Sequence, residues 1–196
     1  MFAEHQPQLS RLARSSPEGF ERIVTFVLCT IRMSLRDAVK DYPIVRRGDR
    51  CRSIFGFKHD GLAYLRDHAA SIWSELECVY ECTRGEPCED ELMAIVTMIP
   101  GIGLAKGGFI LQMMYGLSGC IDTHNLRRFG LTEETFATHG SRKKCLSLIR
   151  SYRAMIANSG GTAWLWDTWC AYLAERDHNY DSAETVSSLH LIPLSC

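Results

Sequence analysis

Apolar residues recur along nearly the whole chain with the spacing of an α-helix, and this periodicity constrains the fold more than any other feature. In the segment that begins at Phe20, for example, apolar side chains fall on one helical face, at positions 20, 23, 24, 27, 28 and 31. No segment of useful length shows the apolar–polar alternation of a β-strand, and the chain contains no internal repeats. The sequence therefore predicts an all-α fold.

Start and stop signals divide this pattern into helices and loops. Ser16 followed by Pro17 predicts a helix start, because proline favours the first helical turn. A turn-rich and arginine-rich stretch at 41–56, which includes Pro43, is predicted to be a loop and is a candidate for contacting DNA or a substrate. Further helices are predicted at 59–82, 89–98, from after Gly103 to about 116, from Asp122, and at 142–158 and 163–175.

Length and composition suit one domain over residues 1–196. Of the 196 residues, 46% are hydrophobic, which is enough to build a core. No apolar run approaches the roughly 20 residues that a membrane helix needs, and the first 16 residues lack the apolar centre of a signal peptide. We therefore expect a cytoplasmic protein without a membrane partner.

The nine cysteines are odd in number, and three of them lie within apolar helical patterns, at Cys29, Cys145 and Cys170. This placement argues against a disulfide framework and favours a reducing compartment. The tightest cluster lacks a fourth close ligand and has C-x3-C-x5-C spacing, at Cys78, Cys82 and Cys88. Two interpretations of this cluster are possible: free thiols in a helix and its following turn, or ligands of a structural metal. We expect neither a metal nor a cofactor.

The net charge of −1 gives no general signal for nucleic acid, but the charges are unevenly placed. Between residues 126 and 153 only two acidic residues stand against seven basic ones: Arg127, Arg128, Arg142, Lys143, Lys144, Arg150 and Arg153. Such a basic face suits a small DNA footprint of a few phosphates, and a solvated helix face has the same composition.

The most informative stretch spans residues 98–125. Within it, Pro100-Gly101-Ile102-Gly103 separates two predicted helices, so the chain turns there. Glycines permit a positive φ, and the N–H groups at the start of the second helix form a seat for a phosphate. Gly107 and Gly108 lie inside that helix, where each costs roughly 1 kcal/mol relative to alanine. Two such costs indicate a close helix crossing or a backbone that lies against another group.

Nineteen residues beyond Gly103, Asp122 follows an apolar pair and opens a new helix. Aspartate is a common N-cap, and in that role it would accept a hydrogen bond from the backbone N–H near Asn125. The hairpin at this distance favours a chemical role for the same carboxylate.

Together, Pro100-Gly101-Ile102-Gly103 and Ile121-Asp122-Thr123-His124 resemble the signature of the helix-hairpin-helix DNA glycosylase superfamily, typified by endonuclease III. The motifs cover about 30 residues and are specific only in combination. The resemblance implies a glycosylase-like helical domain with a helix-hairpin-helix at about 92–116 and a catalytic segment at 120–130. It also implies bound DNA whose target base is rotated out of the stack, and Asp122 as the catalytic carboxylate.

The sequence departs from that superfamily in two ways. Bifunctional members carry a Schiff-base lysine at the position of Ala105, whereas Lys106 lies one residue later, about 100° around the helix, and is expected to face phosphate. Strand cleavage through an imine is therefore not expected. Several members also carry four closely spaced cysteines for an iron–sulfur cluster, and here only Cys145, Cys170 and Cys196 follow the aspartate. We expect no such cluster.

Residues 99–112 and 120–130 most resemble a bacteriophage branch of the superfamily, the amino acid:DNA transferases of thymidine hypermodification, or thymidine aminotransferase family. This resemblance implies that an amino acid, which the family suggests is glycine, attacks the 5-methylene carbon of a phosphorylated 5-hydroxymethyluracil in DNA. Phosphate leaves and the glycosidic bond survives. Such a modification protects viral DNA from restriction, and a viral protein of this kind works in the host cytoplasm.

We assign candidate roles accordingly: catalysis to Asp122 and His124, DNA binding to Gly101, Gly103, Lys106, Arg127 and Arg128, and reading of the uracil edge to Gln112 and Asn125. His124 either shuttles protons or packs beneath its helix, and the two amide side chains are alternatively structural hydrogen-bonding groups. Of the tryptophans at 164, 166 and 169, at least one belongs to the core and one is a candidate to stack on a base or close the pocket.

Two alternatives stay open. A monofunctional DNA glycosylase, without lyase activity, would use Asp122 to activate water and to stabilise the cationic sugar as the base departs. A catalytically inert DNA-binding module would keep the fold alone. The preference for the transferase rests on the family resemblance, since no residue excludes hydrolysis.

Overall fold

The computed structural model describes residues 2–49, 51, 54–82, 88–136 and 142–176. Over these ranges all regular secondary structure is helical and no strand is present, so the all-α prediction is confirmed. The α-helices are α1 (Phe2–Ser15), α2 (Pro17–Thr30), α3 (Leu35–Arg46), α4 (Phe57–Cys82), α5 (Glu89–Val96), α6 (Leu104–Tyr115), α7 (Thr123–Arg128), α8 (Arg142–Asn158) and α9 (Gly161–Arg176). A 3-10 turn covers Glu133–Phe136.

Helix α2 forms the centre of the fold and packs against α1, α3, α4 and α6. It starts as predicted, because the Ser16 side chain accepts a hydrogen bond from the backbone N–H of Gly19 at 3.1 Å and Pro17 occupies the first turn. From Ile23 to Cys29 every residue is buried, as expected of a helix that is apolar on all sides. The buried apolar side chains of the described residues form one cluster that reaches from α1 to α9.

Helix α4 begins two residues before the predicted position 59 and ends at Cys82 as predicted. Its buried apolar face repeats every three or four residues, at Leu65, Ala69, Ile72 and Leu76. This face packs against α2 and α5, so α4 connects the central helix to the predicted hairpin.

The loop predicted at 41–56 is wrong in its first part, because α3 continues into it. Ser34 caps α3 by accepting a backbone hydrogen bond from the first turn at 3.1 Å. Ala38 and Tyr42 are buried, and α3 packs against α2. These contacts with distant residues outweigh Pro43, which removes a single hydrogen bond in the last turn of the helix.

No helix is predicted before Ser16, yet α1 packs there against α2, α6 and α9. Its buried residues are spaced by four, at His5, Leu9 and Ala13, which places them on one face. The polar residues between them mask this short stripe in the sequence.

The carboxyl-terminal helices follow the prediction closely. Helix α8 has the predicted bounds, and α9 begins two residues before the predicted position 163. Trp166 is buried and Trp164 is 39% exposed, whereas the side chain of Trp169 and the tail from residue 177, with its predicted packing, lie outside the described residues. None of the helices in the described ranges combines the length and the apolar character needed to cross a membrane.

Candidate functional site

A tight turn joins α5 to α6 and gives this pair of helices the form of a hairpin. The Ile102 N–H donates to the Ile99 carbonyl at 3.0 Å, with Pro100 and Gly101 in between. Gly101 has a φ of +85°, as the third residue of a type II turn requires. Ile99 and Ile102 are buried, so the turn is anchored in the core while Gly101 is exposed.

The amino end of α6 is open to approach from outside. Gly103 is its N-cap residue, and no side chain of the described residues caps the helix. The first helical donor is the Gly107 N–H, at 2.8 Å from the Gly103 carbonyl, so the three preceding N–H groups have no partner within the helix. A Cβ added at Gly103 would meet no atom within 4 Å. This end of α6 can therefore receive an anion without displacing a side chain.

The hairpin turn rests on α4. A Cβ at Gly61 of α4 would lie 2.5 Å from the Pro100 carbonyl oxygen, and one at Gly101 would lie 2.7 Å from the ring of Phe57. Both glycines are thus needed for the close approach of the turn to the first turns of α4. The start of α4 positions the hairpin.

Gly107 and Gly108 have separate packing roles inside α6. A Cβ at Gly107 would lie 2.9 Å from the sulfur of Met93 and 3.1 Å from Val96, so Gly107 permits the close crossing of α5. A Cβ at Gly108 would collide with the carbonyl oxygen of Gly119. The segment that leads to Asp122 therefore lies directly on the α6 backbone. Both packing arrangements that the sequence suggested for this pair occur.

Tyr152 of α8 holds the segment 119–122 in place. Its hydroxyl donates to the Gly119 carbonyl at 2.7 Å and accepts from the Ile121 N–H at 2.8 Å. The side-chain nitrogen of Asn125 donates to the Cys120 carbonyl at 2.9 Å. Burial raises the pKa of Tyr152 well above its ordinary value, so its hydroxyl stays protonated and remains a donor. No local pattern in the sequence marks Tyr152, because its partners lie about thirty residues away, and its role was missed.

Asp122 occupies the N-cap position of α7 and is half-buried. Its Oδ1 accepts a hydrogen bond from the Asn125 N–H at 3.1 Å, and its carbonyl accepts one from Leu126 at 2.8 Å. The capping role weighed for this residue is therefore realised. A carboxylate has about four acceptor positions, so capping and proton transfer are compatible in one side chain.

The charges of Lys106 and Asp122 both affect the pKa of the Cys120 thiol. Burial raises the pKa of that thiol to about 12; the positive charge of Lys106 lowers it, and the negative charge of Asp122 raises it. Hydrogen bonding from the backbone of Asp122 also lowers the pKa of this thiol. Lys106 itself donates to the hydroxyl of Thr30 at 3.2 Å. The two charged groups named by the sequence thus lie within electrostatic reach of one buried atom.

A second lysine near this site was not predicted. Lys58 is buried, and its ammonium lies 3.5 Å from the Cys29 carbonyl oxygen and 4.5 Å from the centre of the Phe55 ring. Burial lowers its pKa, and the positive charge of Lys106 lowers it further. Nothing in the sequence marks Lys58, because lysine in the first turn of a helix is ordinarily solvated.

Gln112 and Asn125, assigned to the uracil edge, are buried. The Gln112 side-chain nitrogen donates to the Thr162 carbonyl at 2.8 Å and so ties α6 to α9. The side-chain nitrogen of Asn125 is bonded to the Cys120 carbonyl, as described above. These contacts support structural roles, and base reading by either residue stays a prediction.

The predicted basic face is divided. Arg127 is exposed on α7, whereas the side chains of His124 and Arg128 and of residues 142–144 lie outside what the structure describes. The two arginines nearer the middle of α8 bind α5 instead. Arg153 approaches Asp90 at 2.8 Å and Glu89 at 3.3 Å, and Arg150 approaches Asp90 at 3.4 Å. These ion pairs fix α8 beside the hairpin.

The cysteine cluster weighed as a metal site is exposed at the end of α4. The sulfurs of Cys78 and Cys82 lie 3.8 Å apart, and Cys88 follows at the N-cap of α5. Across the parts of the chain that the structure describes, no three histidine, cysteine or acidic residues are arranged to hold a metal ion.

The chain matches no protein-family model, no curated protein and no solved structure. The likeness to the glycosylase superfamily therefore rests on the hairpin and aspartate motifs.

Proposed function

We propose that this protein transfers a free amino acid, with glycine as the first candidate, to the 5-methylene carbon of a phosphorylated 5-hydroxymethyluracil in DNA. The observation that carries the proposal is the meeting of two features on α6. Its open amino end lies at Gly103, and the Asp122 segment lies on its backbone at Gly108, about 7.5 Å further along the helix. The first feature would hold the DNA strand, and the second would meet a base that has left the stack.

The hairpin turn and the first turn of α6 are assigned to the DNA backbone. N–H groups at a helix start bind a phosphate whatever the neighbouring base, so they position the strand without reading its sequence. The space outside Gly103 leaves room for that phosphate. Arg127, exposed on α7, supplies a cation near the aspartate in the chain. Such a limited contact agrees with a net charge of −1.

Asp122 is assigned the role of general base. Its carboxylate takes a proton from the ammonium group of the amino acid, and the freed amine attacks the methylene carbon. A C–N bond forms as the C–O bond to phosphate breaks, so phosphate leaves with the bonding electron pair. The glycosidic bond is untouched. Lys106 and Arg127 are the cations assigned to the departing phosphate.

The rigid seat of Asp122 supports this assignment. Tyr152 and Asn125 fix the backbone of the segment before it, and the N-cap bond fixes one of its own oxygens. A catalytic group that is held in place before the substrate arrives loses little entropy on reaction.

A monofunctional glycosylase is the second candidate, because a carboxylate that deprotonates an ammonium group also deprotonates water. Chemistry without an imine is favoured for the transferase and for the glycosylase. Alanine occupies the Schiff-base position, at Ala105, and Lys106 is hydrogen-bonded to Thr30. The candidates differ in product: the transferase leaves a modified nucleoside, and the glycosylase leaves an abasic site.

Product analysis tests the proposal. DNA that contains phosphorylated 5-hydroxymethyluracil is incubated with the protein, with and without each amino acid. The DNA is then digested to nucleosides, which are identified by mass spectrometry. We expect a nucleoside that carries the amino acid through nitrogen, formed together with one phosphate. Abasic sites that need no amino acid would replace the proposal with the glycosylase. Binding without either product would leave an inert module.

Asp122→Asn separates chemistry from structure. Asparagine caps a helix about as well as aspartate, so stability and DNA binding should stay near the wild-type values. Loss of the base should lower product formation by a factor of about 100 or more. Melting curves, anisotropy and the product assay measure these effects, with the exposed Asp67→Asn on α4 as the matched control. Full activity of Asp122→Asn would remove this residue from the mechanism.

A further inference from the structure

The carboxyl end of α2 lies beside the hairpin, and cationic side chains from three parts of the chain occupy it. The Lys58 ammonium lies 3.5 Å from the Cys29 carbonyl oxygen, and the Lys106 ammonium donates to the Thr30 hydroxyl at 3.2 Å. Arg32 follows in the short connection between α2 and α3. The two lysines bind groups at the end of α2, where the partial negative charge of a helix terminus favours cations. Arg32 has no such partner there.

Arg32 has a backbone conformation that arginine rarely adopts. Its φ is +56°, in the left-handed region where the Cβ of any residue other than glycine is crowded. The side chain is exposed, and among the residues that the structure describes it forms neither an ion pair nor a hydrogen bond. The contacts within the described chain therefore give no reason for an arginine in place of glycine at this position. Strain of this kind is typical of residues that bind a ligand.

The ring of Phe57 connects Arg32 to the hairpin turn. The guanidinium carbon of Arg32 lies 6.0 Å from the centre of that ring, and a Cβ at Gly101 would lie 2.7 Å from the edge of the same ring. The guanidinium is thus one aromatic ring away from the turn. Because one DNA strand carries a phosphate for every ~3.4 Å of helix axis, a strand seated at the start of α6 brings a neighbouring phosphate towards Arg32.

The surroundings of Arg32 suit the backbone of a nucleic acid. The N–H donors of a guanidinium form a planar fork that matches two oxygens of a phosphate. Phe55, which is 38% exposed, packs against Phe57 with the ring centres 6.2 Å apart and extends the apolar surface. A cation beside an exposed apolar face matches a phosphate and the sugar that follows it.

We propose that Arg32 binds a second backbone phosphate of the DNA, next to the phosphate seated at the start of α6. The proposal deepens the proposed function and rests on its assignment of DNA to the hairpin. One phosphate contact leaves the strand free to pivot, whereas two contacts fix its direction across the turn. Arg32 thereby helps to orient the strand so that one base meets Asp122.

Arg32→Gly tests binding and stability in one variant. Glycine adopts a positive φ without crowding, so the variant should melt at the wild-type temperature or above it. Its affinity for unmodified duplex DNA should fall at least about threefold at about 0.1 M salt. The slope of log K against log salt should become less steep by about 1, as expected for the loss of one phosphate contact. Thermal melting and fluorescence anisotropy measure these effects. A melting temperature well below that of the wild type would show that packing requires the arginine.

A second pair of variants isolates the charge. Arg32→Gln keeps a long polar side chain and should bind DNA as weakly as Arg32→Gly does. Arg11→Gln makes the same chemical change at an exposed position on α1, away from the hairpin turn, and should bind as the wild type does. Wild-type affinity and salt slope in both Arg32 variants would overturn the proposal.

Two kinds of DNA distinguish a backbone phosphate from the phosphate on the modified base. The Arg32 variants should lose the same factor in affinity on unmodified DNA and on DNA that contains phosphorylated 5-hydroxymethyluracil. A loss confined to the phosphorylated DNA would overturn the proposal, because it would place Arg32 at the leaving group.

This contact and the transferase can fail separately. If the Arg32 variants bind unmodified DNA weakly and no product forms with any amino acid, the contact stands and the transferase is wrong. If the product forms while the Arg32 variants keep the wild-type affinity, the transferase stands and the contact is wrong.

Discussion

Gly103 and Gly108 lie on the same short helix, yet a methyl group added to each would meet different surroundings. At Gly103 the φ is −93°, which any residue adopts, and the added carbon would find open space. At Gly108 it would collide with the Gly119 carbonyl and lie 3.2 Å from the hydroxyl oxygen of Tyr152. Packing within the chain therefore requires glycine at 108 and makes no such demand at 103.

A pair of alanine substitutions tests this difference. We expect Gly108→Ala to lower the free energy of unfolding by about 2 kcal/mol or more, because the Asp122 segment must move away. Gly103→Ala should fold and lose only about 1 kcal/mol from the weaker N-cap, while DNA binding weakens as the methyl group obstructs the phosphate. Thermal melting and fluorescence anisotropy measure the two effects. Normal DNA binding by Gly103→Ala would contradict the backbone contact.

The cysteines differ in burial, and we expect them to differ in reactivity. Burial raises the pKa of Cys29 and of Cys120 to about 12, whereas Cys78 and Cys82 are exposed. At about pH 8 the buried pair carries almost no thiolate, so iodoacetamide should modify the exposed pair first and the buried pair only on unfolding. Peptide mass spectrometry follows each site. Equal rates at Cys120 and Cys78 would mean that the Asp122 segment opens in the native protein.

At the scale of elements, α8 connects the two parts of the candidate site. Tyr152 forms hydrogen bonds with the backbone of the segment 119–121. The next residue, Arg153, forms ion pairs with Glu89 and Asp90 of α5. The hairpin and the aspartate segment are therefore held by one helix. Their relative position depends on α8 as well as on the packing of α6.

Tyr152→Phe removes only the hydroxyl of this connection. It leaves the Gly119 carbonyl and the Ile121 N–H without their partner, so we expect a loss of about 1–3 kcal/mol in the free energy of unfolding. If Tyr152 positions Asp122, kcat should also fall while KM for DNA stays within a factor of two or so. Tyr64→Phe on α4 is the control, since that side chain is half-buried and outside the site. A stability loss with unchanged kcat would leave Tyr152 a purely structural role.

At the scale of the whole molecule, the charge limits the DNA footprint. The net charge is −1, and of the predicted basic face Arg150 and Arg153 are paired to α5, which leaves Arg127 for phosphate among the side chains of that face that the structure describes. We expect log K for DNA to fall with log salt with a slope of about −2 to −4, since each phosphate contact contributes about −0.9. In the wild type we expect the Lys106 ammonium group to leave the Thr30 hydroxyl and to bind a phosphate of the DNA. Lys106→Ala removes that contact, so it should reduce the slope by about 1 without changing which product forms.

Titration of DNA binding at several salt concentrations gives the slope. Lys40→Ala, at an exposed position on α3, is the matched control and should not change it. A slope steeper than about −6 would contradict this small footprint, because it would require more than about six phosphate contacts.

The sequence predicted the features that depend on neighbours along the chain. The apolar period and the caps located α2, α4, α8 and α9 to within about two residues, because both signals are local. The two glycines of α6 indicated close packing for the same reason. Contacts between side chains of different helices were not predictable. Arg14, Glu77 and Tyr115, for example, meet across α1, α4 and α6. The tyrosine hydroxyl and the guanidinium each lie 2.9 Å from the Glu77 carboxylate.

The errors have the same origin. Helix α3 is stabilised by the burial of Ala38 and Tyr42, which no local pattern announces beside Pro43. Burial of Lys58 depends on the end of α2, nearly thirty residues away in sequence. For the candidate site, the sequence predicted Asp122 at the start of a helix, where it caps α7. The support by Tyr152 was not predictable, since that contact joins residues about thirty positions apart.

The first turns of α4 support the hairpin turn, because Gly61 receives the Pro100 carbonyl and Phe57 lies against Gly101. Helix α4 also packs against α2, so a change in the tilt of α4 would displace the turn and the backbone N–H groups that follow it. The orientation of a phosphate bound at those groups would thus depend on a helix that belongs to neither arm of the hairpin.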